Sequence, residues 1–250
     1  MPLTIVALGA SAGGLEALQG FFAGMPADPR FAFVVITHLS PQHESRMAEV
    51  LQRSTSMPVC EARDGEPIQP GHVYVIPPNH LIDVRAGCLH LERAAPRSTV
   101  PHPIDYFMRA LAEDQEERCA GIVFSGANHD GTSGLKEIKA AGGLAIVQDP
   151  STAHFAGMPH SAIDADAADV VMPVEKMGQA LIDYVENAPG GSALEVRPPT
   201  AAEAEDASLP ARLPQILDIV RERCGRDFRW YRVPMLLRRL RRRMGLSSVP

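Results

Sequence analysis

Three polar residues follow short apolar runs, at positions where parallel strands would end. Ser11 lies in a glycine-rich turn after the run 4–8, His38 directly follows 31–37, and Asp130 lies in the segment after 121–124. A serine hydroxyl becomes a useful nucleophile when a neutral imidazole takes its proton. A carboxylate on the other ring nitrogen fixes the tautomer and stabilises the imidazolium. These residue types therefore suit acyl transfer, with backbone N–H groups around Ser11 and Ala127 as a candidate oxyanion hole.

The same residues also allow simpler interpretations, which the spacing alone leaves open. Ser11 could cap the helix that follows it. Asn128 and Asp130 are common turn residues. His129, next to Asp130, competes with His38 for the role of the base.

A dinucleotide-binding turn is a second class of site that the glycines at 9–14 could form. That fingerprint needs a glycine where Ser11 stands, and an acidic residue after the second strand to hold the ribose. This sequence has Thr37 and His38 there. A phosphate-binding loop is also disfavoured, because no Lys-Ser/Thr pair follows the glycines.

Strands and helices alternate along most of the chain, which predicts an α/β fold with a doubly wound, mostly parallel sheet. Carboxyl ends of neighbouring strands in such a sheet form the usual site, which would bring Ser11, His38 and Asp130 together. The middle region differs, since turns at 64–65 and 70–71 separate short β-like runs, and 86–87 suits a tight hairpin. We expect an antiparallel β extension there. The predicted strands are 4–8, 31–37, 72–76, 81–85, 88–92, 121–124, 144–148 and 169–172, and the predicted helices follow Gly14 and cover 43–52, 104–112, 135–141, 158–165 and 174–185.

Composition limits the classes of protein that this sequence can belong to. The 250 residues are 45% hydrophobic, enough for a sizeable core, and the net charge of -6 does not suit a chain that coats nucleic acid. Four widely spaced cysteines, with no CxxC pair, indicate reduced, buried thiols. No apolar run is long enough to span a membrane, and the N-terminus has no signal-peptide pattern. We therefore expect a cytoplasmic protein without membrane insertion.

The last quarter of the chain changes in texture. Residues 188–210 are rich in Pro, Gly, Ala, Ser and Glu without periodicity, which predicts a flexible linker. Helical spacing resumes at 213–220, and 231–244 carries a dense run of arginines. The sequence thus predicts a catalytic domain at 1–187 and a short, basic, C-terminal helical segment at 211–250.

Several segments together resemble one known family. GASAGG (9–14), VVITHLSP (34–41) and SGANHDGTSGL (125–135) are similar to the signature segments of CheB-type chemotaxis protein-glutamate methylesterases. DGEPIQPGHVYVIPPNHL, PIDYFMRALAED and FAGMPHSAI resemble supporting segments of that family, in the same order and spacing. The resemblance covers residues 3–187.

The resemblance implies a function and assigns roles. Ser11 would be the nucleophile, His38 the base and Asp130 the orienting acid, with oxyanion donors from the backbone near Ala12 and Ala127. Family members hydrolyse γ-glutamyl methyl esters on cytoplasmic chemoreceptor helices and release methanol, and some also deamidate glutamine, without a metal or organic cofactor. Ala12 stands where many members have a hydroxyl residue, and His129 where a small or amide residue is usual. Many members carry a receiver domain in front, and we expect its control to be absent from this sequence.

The basic C-terminal segment has a resemblance of its own, to the start of the N-terminal helical region of CheR-type chemoreceptor methyltransferases. The resemblance rests on Gly225, Asp227-Phe228, Tyr231 and the paired arginines before Met244. It implies a fragment of an esterase–methyltransferase fusion without the S-adenosylmethionine domain. A carboxylate-rich receptor, or another chemosensory protein, is the expected partner, in preference to nucleic acid or anionic lipid. The alternative function is a non-catalytic adaptor that docks on a receptor.

Overall fold

The computed structural model describes residues 3–28, 30–38, 46–93, 102–186 and 208–224, together with positions 228, 229, 233, 236, 237 and 240. The chain divides into two units, Met1–Ala188 and Pro189–Pro250. The strands are β1 (Thr4–Ala10), β2 (Phe31–Thr37), β3 (Val59–Glu61), β4 (Val73–Val75), β5 (His80–Arg85), β6 (Cys88–Arg93), β7 (Cys119–Val123), β8 (Leu144–Gln148) and β9 (Val170–Met172). The helices are α1 (Gly14–Gly24), α2 (Met47–Gln52), α3 (Pro103–Gln115), α4 (Thr132–Ala140), α5 (Gly157–Asp164), α6 (Val174–Glu186) and α7 (Ser208–Cys224).

A seven-stranded parallel sheet in the order β3-β4-β2-β1-β7-β8-β9 forms the centre of the first unit. Its inner strands β1, β2, β7 and β8 are buried along their whole length. Strands covered on both faces need continuous apolar runs, which explains why these segments were recognisable in the sequence. The predicted fold class, a mostly parallel α/β sheet, is confirmed.

The two faces of the sheet pack against different helices. In β2, Phe33 packs against Phe21 and Phe22 of α1, with ring centroids 5.8 and 5.6 Å away. The alternate residues Ala32, Val34 and Ile36 belong to the core that contains the buried side chains of α3. Because successive strand residues point to opposite faces, α1 and α3 cover opposite faces of the sheet.

The middle region confirms an antiparallel element and corrects its extent. Strands β5 and β6 pair antiparallel in a separate two-stranded sheet, joined by Ala86 and Gly87 with φ values of 49° and 72°. These are the positive φ values of a tight hairpin turn. The run 72–76, expected in the same antiparallel extension, instead supplies β4 of the parallel sheet. It lies between β2 and β3 and is fully buried there, a position that an apolar VYV run suits.

The helices follow the predicted pattern with shifted ends. The helix predicted at 43–52 is described as α2 from Met47, and positions 39–45 lie outside the described residues. Positions 188–207 of the predicted linker 188–210 lie outside the described residues. Helix α7 begins at Ser208, so it overlaps the end of the predicted linker. Most of the arginine run at 231–244 also lies outside them, so its predicted helix remains a prediction.

The structure bears on the predictions about the cysteine thiols and about membrane-spanning segments. Cys60, Cys88 and Cys119 are free thiols, as predicted, but the predicted burial holds only for Cys119, since Cys60 and Cys88 are half-buried. Burial raises the pKa of the Cys119 thiol to about 12. Among the helices that the structure describes, none combines the length and apolar character needed to cross a bilayer.

Candidate active site

Three adjacent strands, β2, β1 and β7, bring the sequence-predicted residues to one edge of the sheet. Ser11 directly follows β1, His38 directly follows β2, and Asp130 lies in the loop between β7 and α4. Parallel strands end at the same edge, so the topology alone brings these residues close together.

Ser11, His38 and Asp130 form a continuous chain of close polar contacts. The Ser11 Oγ atom lies 3.0 Å from His38 Nδ1, and His38 Nε2 lies 3.0 Å from Asp130 Oδ2. A neutral His38 with its proton on Nε2 would donate to the carboxylate and leave Nδ1 to accept the serine proton. This is the arrangement that general-base activation of a serine requires.

The Asp130 carboxylate is fully buried and held by backbone donors. Its Oδ2 accepts a hydrogen bond from the Ile104 N–H, and its Oδ1 accepts from the Asp105 and Gly131 N–H groups. Ile104 and Asp105 are in the first turn of α3, whose cap residue, His102, makes no side-chain capping bond. Asp130 therefore caps α3 from a distant part of the chain. Three donors and a helix N-terminus compensate for the burial of its charge.

The glycine-rich turn holds Ser11 outside the helix that follows it. Helix α1 starts at Gly14, and its cap residue is Gly13, with a φ of 68° and no side-chain capping bond. Ser11 donates its backbone N–H to the Ser125 carbonyl oxygen at 3.0 Å, and its own carbonyl accepts from the Gly14 N–H. The serine side chain is thus directed to His38 and does not cap α1, which was the simpler interpretation of the sequence.

Ser125 is a residue whose role sequence reasoning missed. It is buried, and its Oγ donates to the Ala12 carbonyl at 2.8 Å and accepts from the Phe155 N–H at 2.9 Å. It therefore ties the nucleophile turn to the loop before α5. A small hydroxyl residue two positions after the end of β7 was the only signal available in the sequence.

The predicted oxyanion residues, Ala12 and Ala127, lie on exposed loops next to this site. Within the described part of the chain, neither backbone N–H donates to another residue. By contrast, the Ser11 N–H is used by Ser125, and the Gly126 N–H donates to the Phe155 carbonyl. The N–H groups of Ala12 and Ala127 therefore remain the predicted donors to a substrate oxygen.

Among the described residues, His129, the alternative base, makes no hydrogen bond with Ser11. Its ring packs against His102, with centroids 4.7 Å apart, whereas His38 makes the contact with Ser11. His102 Nδ1 lies 3.8 Å from Asp130 Oδ1, so a second histidine adjoins the buried carboxylate. No sequence pattern indicated that contact, because His102 precedes α3 and is distant from Asp130 along the chain.

One group of side chains has the types that bind metal ions, namely His102, Asp105 and Asp130, whose candidate ligand atoms lie within 4.8 Å of one another. Their carboxylate oxygens already accept backbone N–H bonds. Asp105 Oδ1 accepts from Gly134 at 2.7 Å, and Asp130 is used by Ile104, Asp105 and Gly131. Helix capping therefore accounts for this cluster.

A cavity of about 280 Å³ opens in front of the serine. Its apolar residues include Leu15, which is 38% exposed. Its rim carries an exposed ion pair, with His154 Nε2 2.9 Å from Glu16 Oε2. The cavity is lined by Ser11, Gly13, Leu15, Glu16, Thr37, His38, Met47 and His154.

Comparison with known proteins identifies the class. Residues 6–181 match the family model described as CheB methylesterase. The crystal structure of the Thermotoga maritima CheB methylesterase catalytic domain superposes with a TM-score of 0.66 at 28% identity, covering 73% of this chain and 99% of that one. The chain belongs to the CheB methylesterase family.

Individual relatives carry related names. A Leptospira interrogans protein, provisionally named protein-glutamate methylesterase/protein-glutamine glutaminase, is 33% identical over 73% of this chain and 95% of its own length. A Pseudomonas aeruginosa protein-glutamate methylesterase/protein-glutamine glutaminase is 37% identical over 76% of this chain and 55% of its own length. A protein-glutamate methylesterase/protein-glutamine glutaminase from Xanthomonas campestris is 36% identical over 71% of this chain and 51% of its own length. The chain thus spans about half the length of these last two relatives.

Proposed function

We propose that this chain is a serine esterase that hydrolyses glutamate γ-methyl esters of chemoreceptors and releases methanol. Ser11 is the nucleophile, His38 the general base and Asp130 the residue that orients the imidazole. The observation that carries the proposal is the relay of two 3.0 Å contacts from Ser11 Oγ through His38 to the buried carboxylate. Membership of the family and the names of the relatives support it.

The proposed reaction proceeds in two acyl-transfer steps. His38 Nδ1 takes the Ser11 proton while the hydroxyl oxygen bonds to the ester carbon. The Ala12 and Ala127 N–H groups stabilise the oxyanion, and removal of one such donor costs about 3–4 kcal/mol in other enzymes. The carbon–methoxy bond then breaks, and His38 gives the proton to the departing oxygen. Water, activated by the same imidazole, releases the glutamate and restores Ser11, and no metal or organic cofactor takes part in these steps.

The proposed substrates are methylated glutamates on the cytoplasmic helices of chemoreceptors, so the proposed place of action is the cytoplasm. The cavity of about 280 Å³ in front of Ser11 suits a single side chain better than a large ligand. Deamidation of glutamine is a second reaction of the same site, since it proceeds through the same acyl-enzyme. The relatives' names include both activities.

A methanol-release assay with methyl-labelled receptor tests the proposal. We expect release by the intact chain and its loss, by at least a thousandfold, in Ser11→Ala and His38→Ala. His90→Ala, on β6, is the matched control and should keep full activity. Unchanged release in Ser11→Ala would contradict the triad assignment. Receptor binding without any methanol release by the intact chain would favour a docking adaptor instead.

We propose, separately, that residues 1–187 are the esterase domain, 188–210 a linker and 211–250 the start of a CheR-like region that contacts acidic receptor helices. Support comes from the sequence resemblance and from the basic last turn of α7, which carries Arg221 and Arg223. Changing both arginines to glutamine in the full chain should weaken receptor binding at low salt and have less effect at high salt. Equal affinity at low salt would contradict this role.

A further inference from the structure

The Thr37 hydroxyl is a buried polar group that the proposed chemistry does not yet use. Thr37 ends β2, pairs with Ala10 at the end of β1, and is 8% exposed. Among the residues that the structure describes, its Oγ1 has no hydrogen-bond partner. A buried hydroxyl without a partner is costly, and native proteins pair most such groups. An unpaired one beside a cavity therefore suggests a partner on a ligand.

Thr37 lines the same cavity as Ser11 and His38. The sheet order places β2, which ends in Thr37, on one side of β1, and β7, which leads to Ala127, on the other. A substrate carbonyl oxygen directed to the Ala127 N–H would thus lie on the β7 side of the nucleophile. The leaving group of the same substrate would lie on the β2 side, toward Thr37 and toward the His38 imidazole that must protonate it.

We infer that the Thr37 hydroxyl contacts the leaving group of the substrate and helps to set the preference between ester and amide. This inference rests on the proposed esterase function and deepens it. During acylation, the Ser11 Oγ–carbon bond forms, the bond from that carbon to the leaving group breaks, and the serine proton passes through His38 to the departing atom. Thr37 does not exchange protons in this step and acts only through a hydrogen bond.

The two substrates make different demands on the hydroxyl. A methyl ester offers only oxygen acceptors, so Thr37 must donate to an alkoxy oxygen, which is a weak acceptor. A carboxamide offers N–H donors, so Thr37 can accept from the nitrogen and orient it toward His38. A site that hydrogen-bonds a substrate N–H discriminates strongly against an analogue that lacks that group. Thr37 should therefore contribute more to deamidation than to ester hydrolysis.

The test compares Thr37→Val, which keeps the shape and removes the hydroxyl, with the wild-type chain. The probes are a helical peptide with one glutamate γ-methyl ester and the same peptide with glutamine. We expect kcat/KM to fall about tenfold for glutamine and about two- to threefold for the ester. Thr37→Ser, which restores the hydroxyl, should stay within about twofold of wild type on both. The melting temperature of Thr37→Val should be equal or higher, because an unpaired hydroxyl has been removed.

Thr4→Val is the matched control, since Thr4 is also buried, at the opposite end of β1. It should leave the ester-to-amide ratio unchanged. An unchanged kcat/KM for both peptides in Thr37→Val, or a serine variant that behaves like valine, would overturn the inference while leaving the esterase intact. Absence of ester hydrolysis by the wild-type chain would instead contradict the proposed function.

A binding measurement tests the role of the Thr37 hydroxyl without relying on catalytic turnover. In the Ser11→Ala background, adding Thr37→Val should weaken binding of the glutamine peptide about five- to tenfold. Equal affinity of the two variants would overturn the inference.

Discussion

Asp105 and Asp130 cap each other's helices: Asp130 accepts hydrogen bonds from the first turn of α3, which contains Asp105, and Asp105 accepts one from the first turn of α4, which follows Asp130. Asp130, just before α4, accepts from the Ile104 and Asp105 N–H groups in α3. Asp105, in the first turn of α3, accepts from the Gly134 N–H in α4 at 2.7 Å. This exchange joins the two helix starts at the carboxyl edge of the sheet. The carboxylate that faces His38 is therefore fixed by α3 as well as by its own loop.

The burial of Asp105 makes the stability of the fold depend on pH. Burial raises the pKa of its carboxyl group, as does the nearby Asp130 charge, whereas the Gly134 hydrogen bond and His102 lower it. A raised pKa means that the folded state binds this proton more tightly than the unfolded state. The resulting stabilisation is complete below about pH 3.9 and is lost as the pH rises through the folded-state pKa.

Asp105→Asn should accordingly stabilise the protein at neutral pH. The amide oxygen can still accept from Gly134, and no buried charge remains. The free energy of unfolding of the variant should exceed that of wild type at pH 7, and the difference should shrink toward pH 4. Urea unfolding across this range is the measurement. A variant that is less stable at pH 7 would show that the charge itself stabilises the helix starts.

Asp130→Asn should abolish most activity for a different reason. An asparagine presents an NH₂ group where one carboxylate oxygen stood, so it cannot both satisfy the N–H groups of Ile104, Asp105 and Gly131 and fix the His38 tautomer. We expect kcat to fall about a thousand- to ten-thousandfold, with a smaller change in KM. Asp105→Asn is the matched buried-carboxylate control and should retain activity within about tenfold. Comparable losses in both variants would contradict a special role for Asp130.

Gly131 tests how strictly the loop after Asp130 is constrained. Its φ is 91°, and a β-carbon there would lie 2.7 Å from Val123 Cγ2 and 3.1 Å from Ile104 Cγ2. Gly131→Ala should destabilise the fold by about 3 kcal/mol or more, through both backbone strain and overlap, and lower kcat by displacing Asp130.

Gly65 provides the control for that prediction, because it has a similar φ of 73° with nothing within 4 Å of an added β-carbon. Gly65→Ala should cost only about 1 kcal/mol, the strain term alone, and leave kcat unchanged. Thermal and urea unfolding of both variants gives the difference. Equal losses of stability would show that steric overlap at Gly131 is relieved by the surroundings.

The sequence predicted the sheet well where burial alone decides the residue types. The runs that became β1, β2 and β8 are continuously apolar because helices cover both faces, and their ends then located Ser11 and His38. Partner choice was not predictable in the same way. Nothing in 73–75 indicates that β4 pairs in parallel with β2, because that pairing depends on the path of the chain between them.

The candidate site shows the same division. Ser11, His38 and Asp130 could be predicted, since strand ends at one edge converge. Contacts that join distant segments could not. Ser125 joins two loops, and His102 reaches Asp130, through distances that no local pattern encodes. The contact of Ser11 with His38, and not with His129, likewise follows from where the β2 and β7 ends lie relative to the serine.

Phe155 offers a test of how the rim of the cavity holds a protein substrate. Its side chain is 48% exposed, and an added β-carbon on Gly13, which lines the cavity, would lie 3.2 Å from its Cδ2 atom. Exposed apolar side chains beside the proposed nucleophile suit contact with the apolar part of a receptor helix. Only the backbone of Phe155 bonds to Ser125 and Gly126, so substitution of the ring leaves those contacts in place.

Phe155→Ala should therefore raise KM for receptor several-fold with little change in kcat, the pattern expected when binding shared by ground state and transition state is lost. Stability should fall by only about 1 kcal/mol, because half of the ring is already exposed. Val171→Ala is the control, since Val171 is 36% exposed on the edge strand β9, away from the lining of the cavity. Steady-state methanol release over a range of receptor concentrations separates the two constants. An unchanged KM in Phe155→Ala would show that the Phe155 ring does not contribute to receptor binding.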